Sequence, residues 1–176
     1  MRAWWLLFSI GACGGGGGGG DSGNCPGFAT IVDGTFSRSS TTLTWTLEVE
    51  ELPATLEFDR EDTPSFVLEY GWGIDLDVDG DGERDLEVAA KHFKMDVAPH
   101  VEPPLAVLQT DLWRIEGPAA TLTGFADASI AGNTFTFTVE EDEDAGLALV
   151  TDPAQSTFTT FFLIGPSGLD QCTDSL

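Results

Sequence analysis

The sequence predicts an all-β protein: an antiparallel β-sandwich, jelly-roll or immunoglobulin-like, of about eight strands. Three observations predict it. Apolar residues recur at every second position through most of residues 26–176. Turn-forming residues separate these runs at short intervals. No stretch carries apolar residues at the spacing of an amphipathic helix.

The elements follow in order. In Thr42 to Glu50, Leu43, Trp45, Leu47 and Val49 share one face and threonines and glutamates the other, as in a half-buried strand. Phe66 to Leu76 repeats the pattern through Phe66, Leu68, Tyr70, Trp72, Ile74 and Leu76. Phe135, Phe137 and Val139 alternate with Thr134, Thr136, Thr138 and Glu140, and Ala131-Gly132-Asn133 before them predicts a hairpin turn. A final strand is predicted over Thr157 to Ile164, ending at Gly165-Pro166. Weaker alternation predicts strands at 28–32, 54–58, 86–93, 105–108 and 122–130. Ala98 to Pro104, with three prolines, reads as a loop. Residues 26–176 are long enough for one domain with its own core, and no internal repeat or second domain is seen.

The amino terminus has a different character. Met-Arg precedes an apolar run, Ala3 to Ile10, and then Gly11-Ala12-Cys13. A positive start, a short apolar stretch and small residues form a secretory signal, too short for a membrane span of about 20 residues. Ile10-Gly11-Ala12-Cys13 resembles the lipobox of bacterial lipoproteins. That resemblance implies removal of residues 1–12, acylation of Cys13 and anchoring in a lipid bilayer outside the cytoplasm. In a Gram-negative envelope, Gly14, where an aspartate tends to retain such proteins at the inner membrane, implies the outer membrane, at its periplasmic face or its surface. Residues 13–25 then form the anchored tether. Its seven consecutive glycines, Gly14 to Gly20, cannot bury apolar surface. Residues 14–24 span about 20 Å root-mean-square as a flexible coil.

With Cys13 lipidated, Cys25 and Cys172 remain, one at each end of the domain. An oxidising compartment favours a disulfide between them.

The chain carries 30 acidic and 7 basic residues, a net charge of −23. A surface so acidic repels nucleic acid and anionic headgroups and suits cations or basic partners. The densest local signal is Asp77-Val78-Asp79-Gly80-Asp81-Gly82-Glu83-Arg84-Asp85. It resembles the DxDxDGxxD calcium loops of EF-hands, dockerins and integrin-type FG-GAP repeats. Calcium takes six to eight hard oxygens, and alternate carboxylates converge when a loop curls round the ion, with glycine at the sixth position for the turn. Asp77, Asp79 and Asp81 match positions one, three and five, the carbonyl of Glu83 matches seven, and Asp85 matches nine. Position twelve is Val88 where an EF-hand has glutamate, and the flanks read as strands. The FG-GAP-like arrangement therefore fits best, with Glu87 or a distant carboxylate completing the shell of a structural Ca2+. A second acidic run, Glu140 to Asp144, lacks alternation and glycine and reads as a solvated loop.

The early Thr-Leu-Thr-Trp-Thr-Leu strand, Tyr-Gly-Trp-Gly-Ile-Asp-Leu-Asp entering the acidic turn, and the late Gly-Asn-Thr-Phe-Thr-Phe-Thr-Val strand together resemble the sandwiches of DOMON domains and family-nine carbohydrate-binding modules. Such domains bind sugars, haem or other ligands, or support neighbours. Trp72 and Trp113, with Tyr70, are the candidates for stacking a sugar, although parity places Tyr70 and Trp72 with the core. Haem ligation would draw on His92, His100, Met95 or Met1. No nucleophile-elbow motif is present, and His92 and His100 lack zinc-ligand spacing. The sequence thus predicts a calcium-stabilised, membrane-anchored binding or structural module without enzymatic activity. Its partner would be a glycan or another envelope protein. A carbohydrate-binding module is the first alternative, and a hydrolase with an unrecognised acidic site the second.

Overall fold

Period-two alternation along nearly every apolar run lets two sheets each offer one dry face, and the chain folds accordingly. The computed structural model describes residues 25–52, 68–93, 110–164 and 168–175. Among the described residues there are ten strands: β1 Ile31–Ser39, β2 Thr42–Val49, β3 Leu68–Leu76, β4 Leu86–Phe93, β5 Thr110–Glu116, β6 Ala119–Phe125, β7 Asp127–Ala131, β8 Thr134–Glu140, β9 Ser156–Ile164 and β10 Gly168–Ser175. One sheet has the order β1-β2-β8-β7, the other β10-β9-β3-β4-β5-β6. Every pairing is antiparallel. Two short 3-10 turns, Leu147–Leu149 and Pro153–Gln155, are the only helical pieces among the described residues.

The core lies between the sheets. Leu43, Trp45, Leu47 and Val49 of β2, with Phe135, Phe137 and Val139 of β8, face Tyr70, Trp72, Ile74 and Leu76 of β3 and Leu86 and Val88 of β4. Trp72 stacks on Phe135 across the layers, 4.6 Å between ring centroids. Buried indoles need acceptors, and both find them. Trp45 Nε1 donates to Ser156 Oγ at 3.0 Å, and Trp72 Nε1 to the Phe28 carbonyl at 2.7 Å.

The observed strands correct several expectations. Of the predicted strand at 28–32, Phe28 and Ala29 lie in a turn, in which the Ala29 and Thr30 amides donate to the Pro26 carbonyl at 2.8 Å, and only Ile31 and Val32 are extended, as the start of β1. Strand β1 runs straight through Asp33-Gly34, a pair with the composition of a turn. Gly34 sits in β1 because a Cβ there would run into the Phe158 ring of the opposite sheet. The predicted strand at 122–130 is two, broken at Ala126, where the chain leaves one sheet for the other. Thr157 to Ile164 is not the last strand, since β10 pairs along its length. Trp113, assigned to no strand by the sequence, lies in β5. The predicted turn before β8 is present, with Gly132 at φ +62°. The expected strands at 54–58 and 105–108 and the loop at 98–104 lie outside the described residues, as do the signal and residues 13–24 of the tether.

Gly34 has an ordinary negative φ, so its role is purely one of space. Gly34→Ala should therefore destabilise the fold by about 1–3 kcal/mol through overpacking, read as a lower urea midpoint at unchanged slope. An unchanged midpoint would mean that β1 does not need this close approach to β9.

Candidate metal centre

The loop 77–85 joins β3 to β4. The Asp85 amide donates to the Leu76 carbonyl at 2.9 Å, closing the hairpin beneath it. Its two inner glycines adopt left-handed conformations, Gly80 at φ +78° and Gly82 at φ +90°, where side chains are disfavoured. The loop is fixed to the 3-10 turn Pro153–Gln155 from both sides. The Asp77 amide donates to the Gln155 carbonyl at 3.0 Å, and Gln155 Nε2 donates to the Val78 carbonyl at 3.1 Å.

Carboxylates collect the loop's own amides. Asp77 accepts from Gly80, Asp81 and Gly82 at 2.7, 3.1 and 2.9 Å. Asp85 accepts from Val78 at 2.7 Å and Asp79 at 3.3 Å. Asp77, Asp79 and Asp85 each bring a carboxylate oxygen within 4.8 Å of the others. Asp81 is not in this group. Its carboxylate turns back to the Glu83 amide at 2.8 Å. The Glu83 side chain is exposed and also stands outside it. Three carboxylate oxygens are a donor set of the hard kind that Ca2+ or Mg2+ takes, rather than a softer metal. Among the described residues, no cation pairs with these three aspartates.

Glu87, expected to complete the shell unless a distant carboxylate does so, is engaged elsewhere. Residues of β3 and β4 with the opposite parity to the core face the far side of the six-stranded sheet. There Arg84, the one cation of the loop, reaches Asp75 Oδ1 at 3.1 Å and Glu87 Oε2 at 2.8 Å. Lys91 forms a close ion pair with the other oxygen of Glu87. Lys91 Nζ lies 5.9 Å from the Trp113 ring centroid and 5.6 Å from that of Phe161, a distance at which cation–π attraction operates. Glu87 is only 4% exposed. The network was invisible in the sequence because alternation marks Asp75, Glu87 and Lys91 as facing away from the core, which ordinarily means facing water.

Trp72 and Trp113 do not form a stacking platform. Trp72 has no exposed surface and faces the core, whereas Trp113 pairs with Glu87 in the β4–β5 register and so faces the opposite side of the sheet. Trp113 is half-buried, and its indole N–H is buried without an acceptor among the described residues. Tyr70 is buried in the core, as parity required. Of the haem candidates, His100, Met95 and Met1 lie outside the described residues, and only the backbone of His92, in β4, is described.

The run Glu140 to Asp144 is solvated at Glu140, Asp142 and Glu143, which are exposed, while Glu141 and Asp144 tie it down. Asp144 is buried and pairs with Arg114, Nε to Oδ2 at 3.2 Å. Glu141 forms a close ion pair with Arg38, whose guanidinium also donates to the carbonyls of Leu147 at 3.1 Å and Val150 at 2.9 Å. The two arginines thus secure the segment between β8 and β9. Charge composition alone could not reveal this, since both arginines are distant in sequence.

Comparison with family models, with curated proteins and with solved structures finds no match.

Burial pushes the Asp75 carboxyl above its ordinary value of 3.8; Arg84 opposes this and the Glu87 charge adds to it. Burial acts to lower the Arg84 guanidinium, but the charges of Asp75 and Glu87 outweigh it and hold it above its usual value. A carboxyl whose pKa rises on folding favours the native state in acid, and that contribution disappears as pH rises from near 3.8 through the raised value. Asp75→Asn removes the titration. Wild-type stability relative to this variant should therefore fall across that window and then level off, as measured by urea denaturation over a pH series. A flat difference would show that burial does not disfavour the Asp75 charge.

Proposed function

We propose that this chain is a lipid-anchored, extracytoplasmic β-sandwich whose loop 77–85 holds a structural calcium ion, and that it serves as a binding or supporting module without enzymatic activity. The observation that carries the reading is the convergence of Asp77, Asp79 and Asp85 at the closed end of the β3–β4 hairpin. Oxygens from the loop backbone and from water would fill the remaining positions that calcium takes. In the calcium-bound loop Asp81 would exchange the Glu83 amide that its carboxylate now accepts for the ion. The lipid anchor at Cys13 rests on the lipobox. The DOMON-like and carbohydrate-binding-module resemblance gives the module reading its background, with Trp72 removed from any sugar platform.

A disulfide between Cys25 and Cys172 completes the proposal. Cys25 is disulfide-bonded. Cys172 stands opposite Thr160 in the β9–β10 register, and the Thr160 hydroxyl donates to the Ala29 carbonyl at 2.7 Å. The start of the domain therefore lies against the ribbon that carries Cys172. A bridge closing so long a loop would contribute about 5 kcal/mol in the chain-entropy model.

Extracellular modules bind calcium at roughly 10⁻⁴–10⁻³ M. At 1 mM calcium and a dissociation constant of about 0.1 mM, binding stabilises the fold by about 1.4 kcal/mol, or about 3–5 °C in melting temperature. Asp77→Asn with Asp85→Asn should abolish both the calorimetric binding and the shift, while Glu140→Gln with Glu143→Gln should leave them intact. No binding up to several millimolar calcium, or equal effects of the two variants, would reduce the loop to an acidic turn. For the anchor, Cys13→Ser should release the protein from the membrane fraction or leave the precursor uncleaved. Unchanged retention would refute lipidation.

A further inference from the structure

Among the described residues, the sandwich is closed along one side and open along the other. Strand β1 packs against β9 and β10 at the closed side. On the open side, the edge strands β6 and β7 follow one another through Ala126, each in a different sheet. Edge strands offer unpaired amides and carbonyls, and proteins blunt them with charge, proline or bulges. Strand β6, Ala-Ala-Thr-Leu-Thr-Gly-Phe, contains neither a charge nor a proline, in a chain of net charge −23. Its one irregularity, the register shift against Leu112 and Trp113, leaves Ala119 to Leu122 as a regular run. That run is exposed on both faces. Leu122 is 39% exposed and Phe125, at its far end, 56%.

A groove of about 200 Å³ opens beside Phe125, with Asp127, Glu140 and Glu143 around it. Glu143 lies so close over β6 that a Cβ on Gly124 would collide with its carboxylate. The arginines that reach the adjoining segment are already committed, Arg38 to Glu141 and Arg114 to Asp144. Among the described residues, Asp127, Glu140 and Glu143 pair with no cation.

We propose that the β6 edge and this groove form a docking surface for an extended, basic segment of a partner protein. The segment adds as a strand to β6, and a lysine or arginine enters the groove between the Phe125 ring and the carboxylates. Main-chain pairing supplies affinity and the side-chain pocket supplies selectivity, as in other strand-addition complexes. A second copy of this chain is disfavoured as occupant, because the same carboxylates would be brought together across a symmetric pairing. The proposal is independent of calcium and of the lipid anchor, since none of its residues lies in 13–25 or 77–85, and its failure leaves both standing.

The test uses fluorescence anisotropy with three labelled probes on the full chain: an alternating Lys-Val decapeptide, its Glu-Val counterpart, and the Lys-Val peptide N-methylated at alternate residues. The Lys-Val peptide should bind at least about tenfold more tightly than either of the others. Leu122→Lys, which places a gatekeeping charge on the edge, and Glu140→Gln with Glu143→Gln should each weaken it about tenfold, with melting curves confirming that the variants remain folded. Equal binding of the N-methylated peptide would overturn the proposal, because general attraction to an acidic surface would then suffice. Absence of Lys-Val binding at millimolar concentration would also overturn it. So would sedimentation showing a dimer that Leu122→Lys dissolves, because the edge would then belong to a second copy.

Discussion

Like-charge repulsion at the β3–β4 turn is the constraint on which the rest of the molecule turns. Asp77, Asp79 and Asp85 hold their carboxylates within 4.8 Å of one another, with Arg84 directed away to Asp75 and Glu87. Backbone amides partly offset the repulsion, since Asp77 and Asp85 together accept five of them. Hydrogen bonds from neutral amides stabilise a carboxylate but leave its charge in place. A hard divalent cation would neutralise the cluster outright. The hairpin beneath is the centre of the six-stranded sheet, with β9 on one side and β5 on the other, so whatever steadies this turn steadies the register of four strands.

The same sheet has two unlike faces. The inner face is apolar and stacks Trp72 on Phe135. The outer face carries the Asp75–Arg84–Glu87–Lys91 network, which ends between Trp113 and Phe161. A buried ionic network of this kind adds little net stability over an apolar replacement, but breaking one partner leaves an uncompensated charge. The raised Asp75 carboxyl fits that description. The sandwich is therefore held by apolar packing between its sheets, while charge decides the conformation of its loops and edges: the turn 77–85, the tie of Arg38 and Arg114 to residues 141–144, and the uncharged β6.

Much of the fold was legible in the alternation. Strands β2, β4 and β8 and the Gly132 turn fall where periodicity placed them, because both partners in those ladders present clean apolar faces. Strand β1 was not legible, because Gly34 reads as a turn while its true role is to let Phe158 approach. The strand β10, Gly-Leu-Asp-Gln-Cys-Thr-Asp-Ser, has too few apolar residues to declare itself. Within the candidate site, motif spacing picked out Asp77, Asp79 and Asp85 as converging groups. It also named Asp81, whose local preference for the Glu83 amide wins in the structure. Glu87 was assigned to the loop by proximity in sequence, whereas strand parity sends it to the other face.

The central claim is that the carboxylates of loop 77–85 exchange amide hydrogen bonds for a calcium ion. The most direct measurement is a calcium titration followed by 15N-resolved NMR of the backbone amides. The account predicts saturable shifts, complete by low millimolar calcium, concentrated at Val78, Gly80, Asp81, Gly82 and Glu83, with the amides of residues 140–144 unmoved. Shifts absent from the loop, or spread evenly over the acidic surface, would contradict it.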